Sequence, residues 1–286
     1  MPDPTPRKLT LAVRPNAKVA LAIVHEDPDL LIIEKPSGLV TQPGKGHATD
    51  SLLNGLFALK DGAIGKQLHN LGERRDYGLL HRLDKETSGL LVVAKSPNAY
   101  DQLRRDFEER KVDKEYYALT AGIPHPMQGV IQARLKEVEV PNEDPYARRG
   151  SSIKKVVISR QGQEAVTAYR VLRHTKAADE SSPGAPFAPV ALVRCTIKTG
   201  RLHQIRAHMT FLNCRVLGDD LYRCTTPNPA FKSLDFPQAH RLCLHAFHLG
   251  FKHPTTGQWI HFHSPLPGDL TKYAAKLGLA PLPACA

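Results

Sequence analysis

Apolar patterning along the chain begins near residue 19, behind a polar, proline-broken start. Residues 19–24 and 30–33 are apolar runs separated by Glu26, Asp27, Pro28 and Asp29, a turn cluster that predicts a strand hairpin. Lys35-Pro36-Ser37-Gly38 ends the second strand. Thr49 or Asp50 can then cap a helix carrying Leu52, Leu53, Leu56 and Leu59 on one face. Leu79-Leu80 and residues 90–94 read as short strands on either side of a polar loop. Ser96-Pro97 has the form of a helix start, a cap followed by proline, with Tyr100, Leu103 and Phe107 at helical spacing behind it. Residues 112–120 and 190–199 return to strand character, the latter ending at Gly200. Leu202, Ile205, Met209 and Leu212 fall on one helical face closed by Asn213, strands follow near 243–251 and 258–262, and a helix covers 270–277. Three stretches break the pattern. Residues 137–163 hold Arg148, Arg149, Lys154, Lys155 and Arg160 among Gly and Ser, a flexible basic segment; 174–189 is a Ser/Pro/Ala-rich surface loop; 223–240 is irregular.

Strands outnumber helices and are joined mostly by short turns, which predicts an α+β fold: one domain over 19–286 on a mostly antiparallel sheet flanked by helices and loops, behind a flexible leader, 1–18. A chain of 286 residues can bury a sizeable core without disulfides. With 41% apolar and 23% charged residues the composition is that of a globular protein, and the apolar runs fall far short of the ~20 residues a membrane helix needs. The five cysteines are odd in number, none in a C-x-x-C pair, and no signal peptide is visible, so reduced thiols and a cytoplasmic, monomeric protein are expected. The charge balance adds a partner. Thirty-nine Lys+Arg against 28 Asp+Glu leave +11, which favours a polyanion, nucleic acid first.

Three clusters can carry chemistry. In His81-Arg82-Leu83-Asp84-Lys85-Glu86-Thr87-Ser88-Gly89, a loop between strands, Asp84 has His81, Arg82 and Lys85 nearby to keep it ionised. Such a carboxylate can act as base, metal ligand or nucleophile, or merely satisfy loop amides. In the second cluster, residues 199–208, Arg206 lies beside the apolar face of the helix, where a guanidinium usually has a carboxylate partner. The third is Lys114-Glu115-Tyr116-Tyr117, whose tyrosines point to opposite faces of a strand, so only one needs to be core.

Together, H-R-L-D-K-E-T-S-G (81–89), K-E-Y (114–116) and T-G-R-L-H-Q-I-R (199–206) resemble the RluA family of RNA pseudouridine synthases. E-K-P-S-G-L (34–39), L-G-D-D-L-Y (217–222), L-H-A (244–246) and H-P-T-T-G (253–257) fit the same pattern in order. The likeness spans about 19–268, with its core signature in 25–212. Leu202 stands where Thr is common, and Thr41-Gln42 where Val-His is more usual. Many family members carry an N-terminal S4 domain, for which the 18 residues before the first strand are too few.

The resemblance implies a pseudouridine synthase acting on rRNA or tRNA, an isomerase that needs no cofactor and no metal. It makes Asp84 the catalytic carboxylate, attacking the base or acting at the ribose C1′, with Arg206 as its ion-pair partner. Tyr116 would stack on the target base and serve as a candidate proton acceptor. Arg82 would fill the space of the flipped-out nucleotide. The basic residues of 137–163 are candidates for a further RNA contact. A non-catalytic RNA-binding protein would show a substituted Asp84, Tyr116 or Arg206, and all three are intact. A metal-dependent hydrolase would show short fixed ligand spacings, which the histidine-rich C-terminal quarter lacks.

Overall fold

Two largely buried strands set the first half of the architecture. The computed structural model describes residues 13–142, 150–175, 189–222 and 239–280. In it β1 (Ala22–Glu26) and β2 (Leu30–Lys35) form the expected antiparallel hairpin, and β2 pairs antiparallel with β3 (Ser88–Ala94). The hairpin turn is held by Asp27 Oδ1, which accepts the amides of Asp29 and Leu30 at 2.8 Å. Side chains alternate in a strand. Leu90, Val92 and Ala94 therefore meet Leu30, Ile32 and helix α3 (Pro97–Glu108) on one face. On the other, Leu91 and Val93 meet Leu31, Ile33 and helices α1 (Leu52–Ala58) and α2 (Ala63–Leu71). Both faces are covered, which is why these strands read as continuous apolar runs. The α3 start is as expected, with Ser96 Oγ accepting the Ala99 amide at 3.3 Å. The α1 cap is Ser51 rather than Thr49 or Asp50: its side chain and that of Asn54 close a reciprocal capping box.

The second half is built on β4 (Asp113–Ala121), β5 (Gln128–Gln132), β8 (Val166–His174), β9 (Val190–Ile197), β10 (Leu244–Lys252) and β11 (Trp259–His263), with α4 (Gln204–Phe211) and α5 (Gly268–Lys276) against them. One nine-stranded sheet results, in the order β1-β2-β3-β10-β4-β9-β8-β5, with β11 on β10. Every pairing is antiparallel except β3 with β10. The architecture is thus α+β on a mostly antiparallel sheet. Strands β5 and β8 have no counterpart in the apolar pattern, and Leu79-Leu80 forms a single bridge to Val93 instead of a strand. Tyr116 and Tyr117 do point to opposite faces, yet both are buried, Tyr117 stacked on Phe247 at 3.7 Å.

The parallel joint between β3 and β10 leaves no room for a side chain at Gly89. Gly89 has φ +120°, and a Cβ there would stand 2.2 Å from the Ala246 carbonyl oxygen. Gly89→Ala is therefore expected to destabilise the protein by at least about 4 kcal/mol, read as a lowered thermal midpoint, since strain and backbone collision add.

The basic insertion differs from expectation. The described part of 137–163 is an ordered antiparallel ribbon, β6 (Leu135–Pro141) with β7 (Ser152–Ile158), separate from the main sheet. Its charged residues, read from the sequence as part of a flexible basic segment, meet across the strands: Lys154 Nζ lies 3.4 Å from Glu137. Arg148 and Arg149 lie outside the described residues, as do 1–12 of the leader, 176–188 and 223–238.

Candidate active site

The loop bearing Asp84 leads into β3 and is fixed from three sides. Behind it, His81 Nε2 accepts the Val92 amide at 3.1 Å while the ring stacks on Phe107. Burial, with Lys114 adding, pushes the His81 imidazole down to about 3, so it is a neutral structural acceptor. Beside it, the Thr41 hydroxyl donates to the Leu83 carbonyl at 3.0 Å and accepts the Leu83 amide at 3.3 Å. Across it, the wholly buried Lys35 ammonium donates to the carbonyls of Pro36, Leu39 and Lys85 at 2.8, 2.8 and 3.0 Å, and Ser37 Oγ donates to Glu86 O at 2.7 Å. The E-K-P-S-G-L motif thus clamps the residues that follow Asp84.

Arg206 and Asp84 do meet, but the guanidinium fork belongs elsewhere. Arg206 Nε and Nη2 donate to Asp219 Oδ2 and Oδ1 at 2.7 and 2.8 Å, while Nη1 alone faces Asp84 Oδ2, at 3.4 Å. Arg206 is thus an ion-pair partner of Asp84 through one nitrogen only, and its two short bonds go to Asp219. Asp219, whose side chain has no solvent exposure, also accepts the amides of Leu221 and Tyr222. It sits at the mouth of a turn that Gly218 makes possible: with φ +72°, any Cβ there would lie 2.0 Å from Arg241 O. Asp219 is the functional residue the sequence reading passed over. Its signal was present in L-G-D-D-L-Y, but nothing local shows which of two adjacent aspartates faces inward.

Around this pair opens a cleft of about 860 Å³. Its lining holds eight cations, Arg82, Arg104, Arg110, Lys114, Lys154, Lys198, Arg201 and Arg206, against three carboxylates, Asp84, Glu108 and Glu137. Tyr116 lines it with Asp84. Burial first, and Asp84 second, push the Tyr116 phenol well above its ordinary value, so the hydroxyl holds its proton. Arg82 stands exposed on the rim, shared with a smaller side pocket. Of the basic insertion, Lys154 reaches the lining; Lys155 sits 5.0 Å over the Tyr222 ring, and Arg160 is exposed in the turn after β7. The arrangement combines a fixed carboxylate, a buried cation beside it and a polyanion-attracting mouth.

Among the described residues, one group brings three potential ligand atoms within 4.8 Å: Asp27, Asp29 and His253, at the β1–β2 turn and outside the cleft lining. His253 Nδ1 there accepts the Thr255 and Thr256 amides, which leaves Nε2–H directed at Asp27 Oδ2, 3.2 Å away. The group is closed by its own hydrogen bonds.

With fold and cleft described, the class follows: the family model for RNA pseudouridylate synthase matches residues 29–211, and the chain belongs to that family. It is an RNA pseudouridine synthase, an isomerase that converts uridine to pseudouridine in RNA. It is 34% identical over 274 residues to the uncharacterized RNA pseudouridine synthase YlyB of Bacillus subtilis, covering 96% of this chain and 77% of that one. It is 36% identical over 271 residues to ribosomal large subunit pseudouridine synthase D of Neisseria meningitidis serogroup B, covering 93% and 63%. The solved structure of human RNA pseudouridylate synthase domain containing 4 superimposes with a TM-score of 0.64 at 27% identity, covering 92% of this chain and 95% of that one. No helix among the described residues is long and apolar enough to cross a membrane.

Proposed function

We propose that the chain modifies uridine in large-subunit ribosomal RNA, with Asp84 as the catalytic carboxylate, Arg206 and Tyr116 as its partners and Arg82 as the residue that fills the vacated stack. The observation that carries this is the placement of Asp84, held by its loop in an eight-cation cleft against the buried Arg206–Asp219 pair. The ribosomal target draws support from the named relatives. We read 19–286 as one catalytic unit that works as a cytoplasmic monomer. Mapping pseudouridine in rRNA and tRNA from cells lacking the gene, then restoring it with the purified protein, tests the target; a lost tRNA site with intact rRNA sites would overturn it.

The reaction breaks the N1–C1′ bond, turns the base and joins C5 to C1′; N1 gains a proton and C5 loses one, so no electrons are exchanged. A stacked uridine must first leave its helix, at a cost of a few kcal/mol. Exposed and planar, Arg82 can occupy the gap. Asp84 Oδ2 faces Arg206, which leaves Oδ1 toward the cleft for attack on the base or for stabilising C1′. Because Tyr116 is protonated at rest, its oxygen takes the C5 proton only as its own proton passes, directly or through water, to N1 of the turned base, the atom that gains one. Tyr116→Phe keeps the stacking surface and removes the relay. It is expected to bind RNA normally and to slow release of tritium from 5-tritiated uridine about 100-fold or more. Weak binding with normal turnover at saturation would sink the relay.

The ribbon supports a second expectation. Each phosphate neutralised by Lys or Arg contributes a log–log salt slope of roughly −0.7 to −0.9. Replacing Arg148, Arg149, Lys154, Lys155 and Arg160 with Gln is expected to weaken RNA binding and flatten the slope by a few such increments, most clearly through Lys154, which lines the cleft. An unchanged slope would mean that the ribbon does not touch RNA.

A further inference from the structure

His203 lines the same cleft as Asp84 and lies between two groups that determine its proton. Its backbone is left-handed (φ +49°), immediately before α4. Sparsely populated conformations of this kind persist where the surrounding structure over-determines them, often at functional sites. Here the surroundings are explicit: Gln204 Oε1 accepts both the Thr199 hydroxyl at 2.8 Å and the Arg201 amide at 3.1 Å, locking the turn that carries His203. On one side, His203 Nδ1 is 3.2 Å from the Tyr222 hydroxyl. On the other, Nε2 is 3.9 Å from Asp84 Oδ2.

Hydrogen-bond bookkeeping fixes the tautomer. Tyr222 is 3% exposed, and its oxygen already accepts the Val156 amide of β7 at 2.8 Å. A phenol has one proton to donate, and among the described residues the acceptor within reach is His203 Nδ1. Were Nδ1 itself protonated, two N–H groups would converge on the phenol oxygen and the phenol proton would be buried without a partner. Nδ1 therefore accepts, and the ring's single proton sits on Nε2, facing Asp84. Burial, outweighing the attraction of Asp84, takes the imidazole down to about 4, which keeps it neutral, and burial likewise raises the Tyr222 phenol above its ordinary value.

We propose that His203 is a positioning residue for the Asp84 carboxylate, and that the β6–β7 ribbon arms it through the chain Val156 N–H to Tyr222 Oη to His203 Nδ1. Asp84 Oδ2 then faces two donors, His203 Nε2–H and Arg206 Nη1–H, and Oδ1 is the oxygen left to react. Both distances exceed a tight hydrogen bond, as is common before substrate excludes water, and the proposal requires both to shorten in the loaded complex. Tyr222 ties the parts together physically: Lys155 of the ribbon lies 5.0 Å and Arg206 5.1 Å from its ring. A ribbon seated by RNA thereby orients the reacting carboxylate. The inference rests on Asp84 being the catalytic carboxylate.

The test combines a spectrum and kinetics. Imidazole nitrogen resonances of the full chain labelled with 15N-histidine, with His203 assigned by its loss in His203→Gln, should show an unprotonated Nδ1 and a protonated Nε2. The opposite tautomer overturns the proposal. Tyr222→Phe keeps the ring and its cation contacts; it should mix the His203 tautomers and lower kcat about 10- to 100-fold with KM for RNA unchanged. An unchanged kcat, or a rise in KM alone, overturns it. His203→Gln, which retains an N–H near the position of Nε2, should keep more activity than His203→Ala, and equal losses would also count against it. Should Asp84→Asn retain activity, the catalytic assignment fails instead, and the tautomer spectrum remains to show which premise was wrong.

Discussion

Asp84→Asn is expected to lower pseudouridine formation by about 10⁴-fold or more, the scale seen when a group central to covalent chemistry is removed. The amide keeps the shape and loses the charge. The fold should survive, for a reason visible in the site: Arg206 is already neutralised by Asp219 through two short hydrogen bonds, so losing the Asp84 charge does not leave its guanidinium unpaired. A thermal midpoint near that of the unaltered protein, together with lost tritium release, is the expected pair of results. Substantial turnover in the purified variant would remove Asp84 from the mechanism.

The second large effect concerns Arg206. Arg206→Ala strips the partner from Asp219, a carboxylate with no solvent exposure, at a cost of about 3–5 kcal/mol in stability as well as activity. Arg206→Lys is the sharper experiment. One ammonium can neutralise Asp219 or approach Asp84, but it cannot present Nε and Nη2 to one carboxylate and Nη1 to another, as the planar fork does. The lysine variant should therefore recover part of the stability lost in the alanine variant while remaining about 100-fold or more below the parent in kcat. If charge alone mattered, lysine would restore most of the turnover. Melting curves and single-turnover rates on both variants separate the two roles.

Much of this was legible from residue order. The runs that became β2 and β3, the Ser96-Pro97 helix start and the helix before Asn213 follow from local rules of burial, capping and periodicity, and they stand where expected within a few residues. The H-R-L-D-K-E-T-S-G loop and the family it signals were equally plain, because the reactive carboxylate and its neighbours are contiguous in the chain. What escaped the sequence reading was non-local. Strand β5 exposes most of its side chains, so its identity as a strand comes from hydrogen bonds to β8 and not from an apolar pattern. Similarly, the β6–β7 ribbon carries charged residues whose pairing across the strands is invisible until the register is known.

The sequence by itself determined the family, the fold class, the polyanionic character of the partner and the identity of Asp84, Tyr116 and Arg206 as the residues to watch, since each is written in composition, spacing or a contiguous motif. Only the tertiary structure decided who holds whom. The fork of Arg206 goes to Asp219, thirteen positions along the chain, and the ribbon is tied to His203 through Tyr222, 66 positions from Val156. Which carboxylate the guanidinium meets depends on how distant segments pack, and burial of the pair makes breaking it costly.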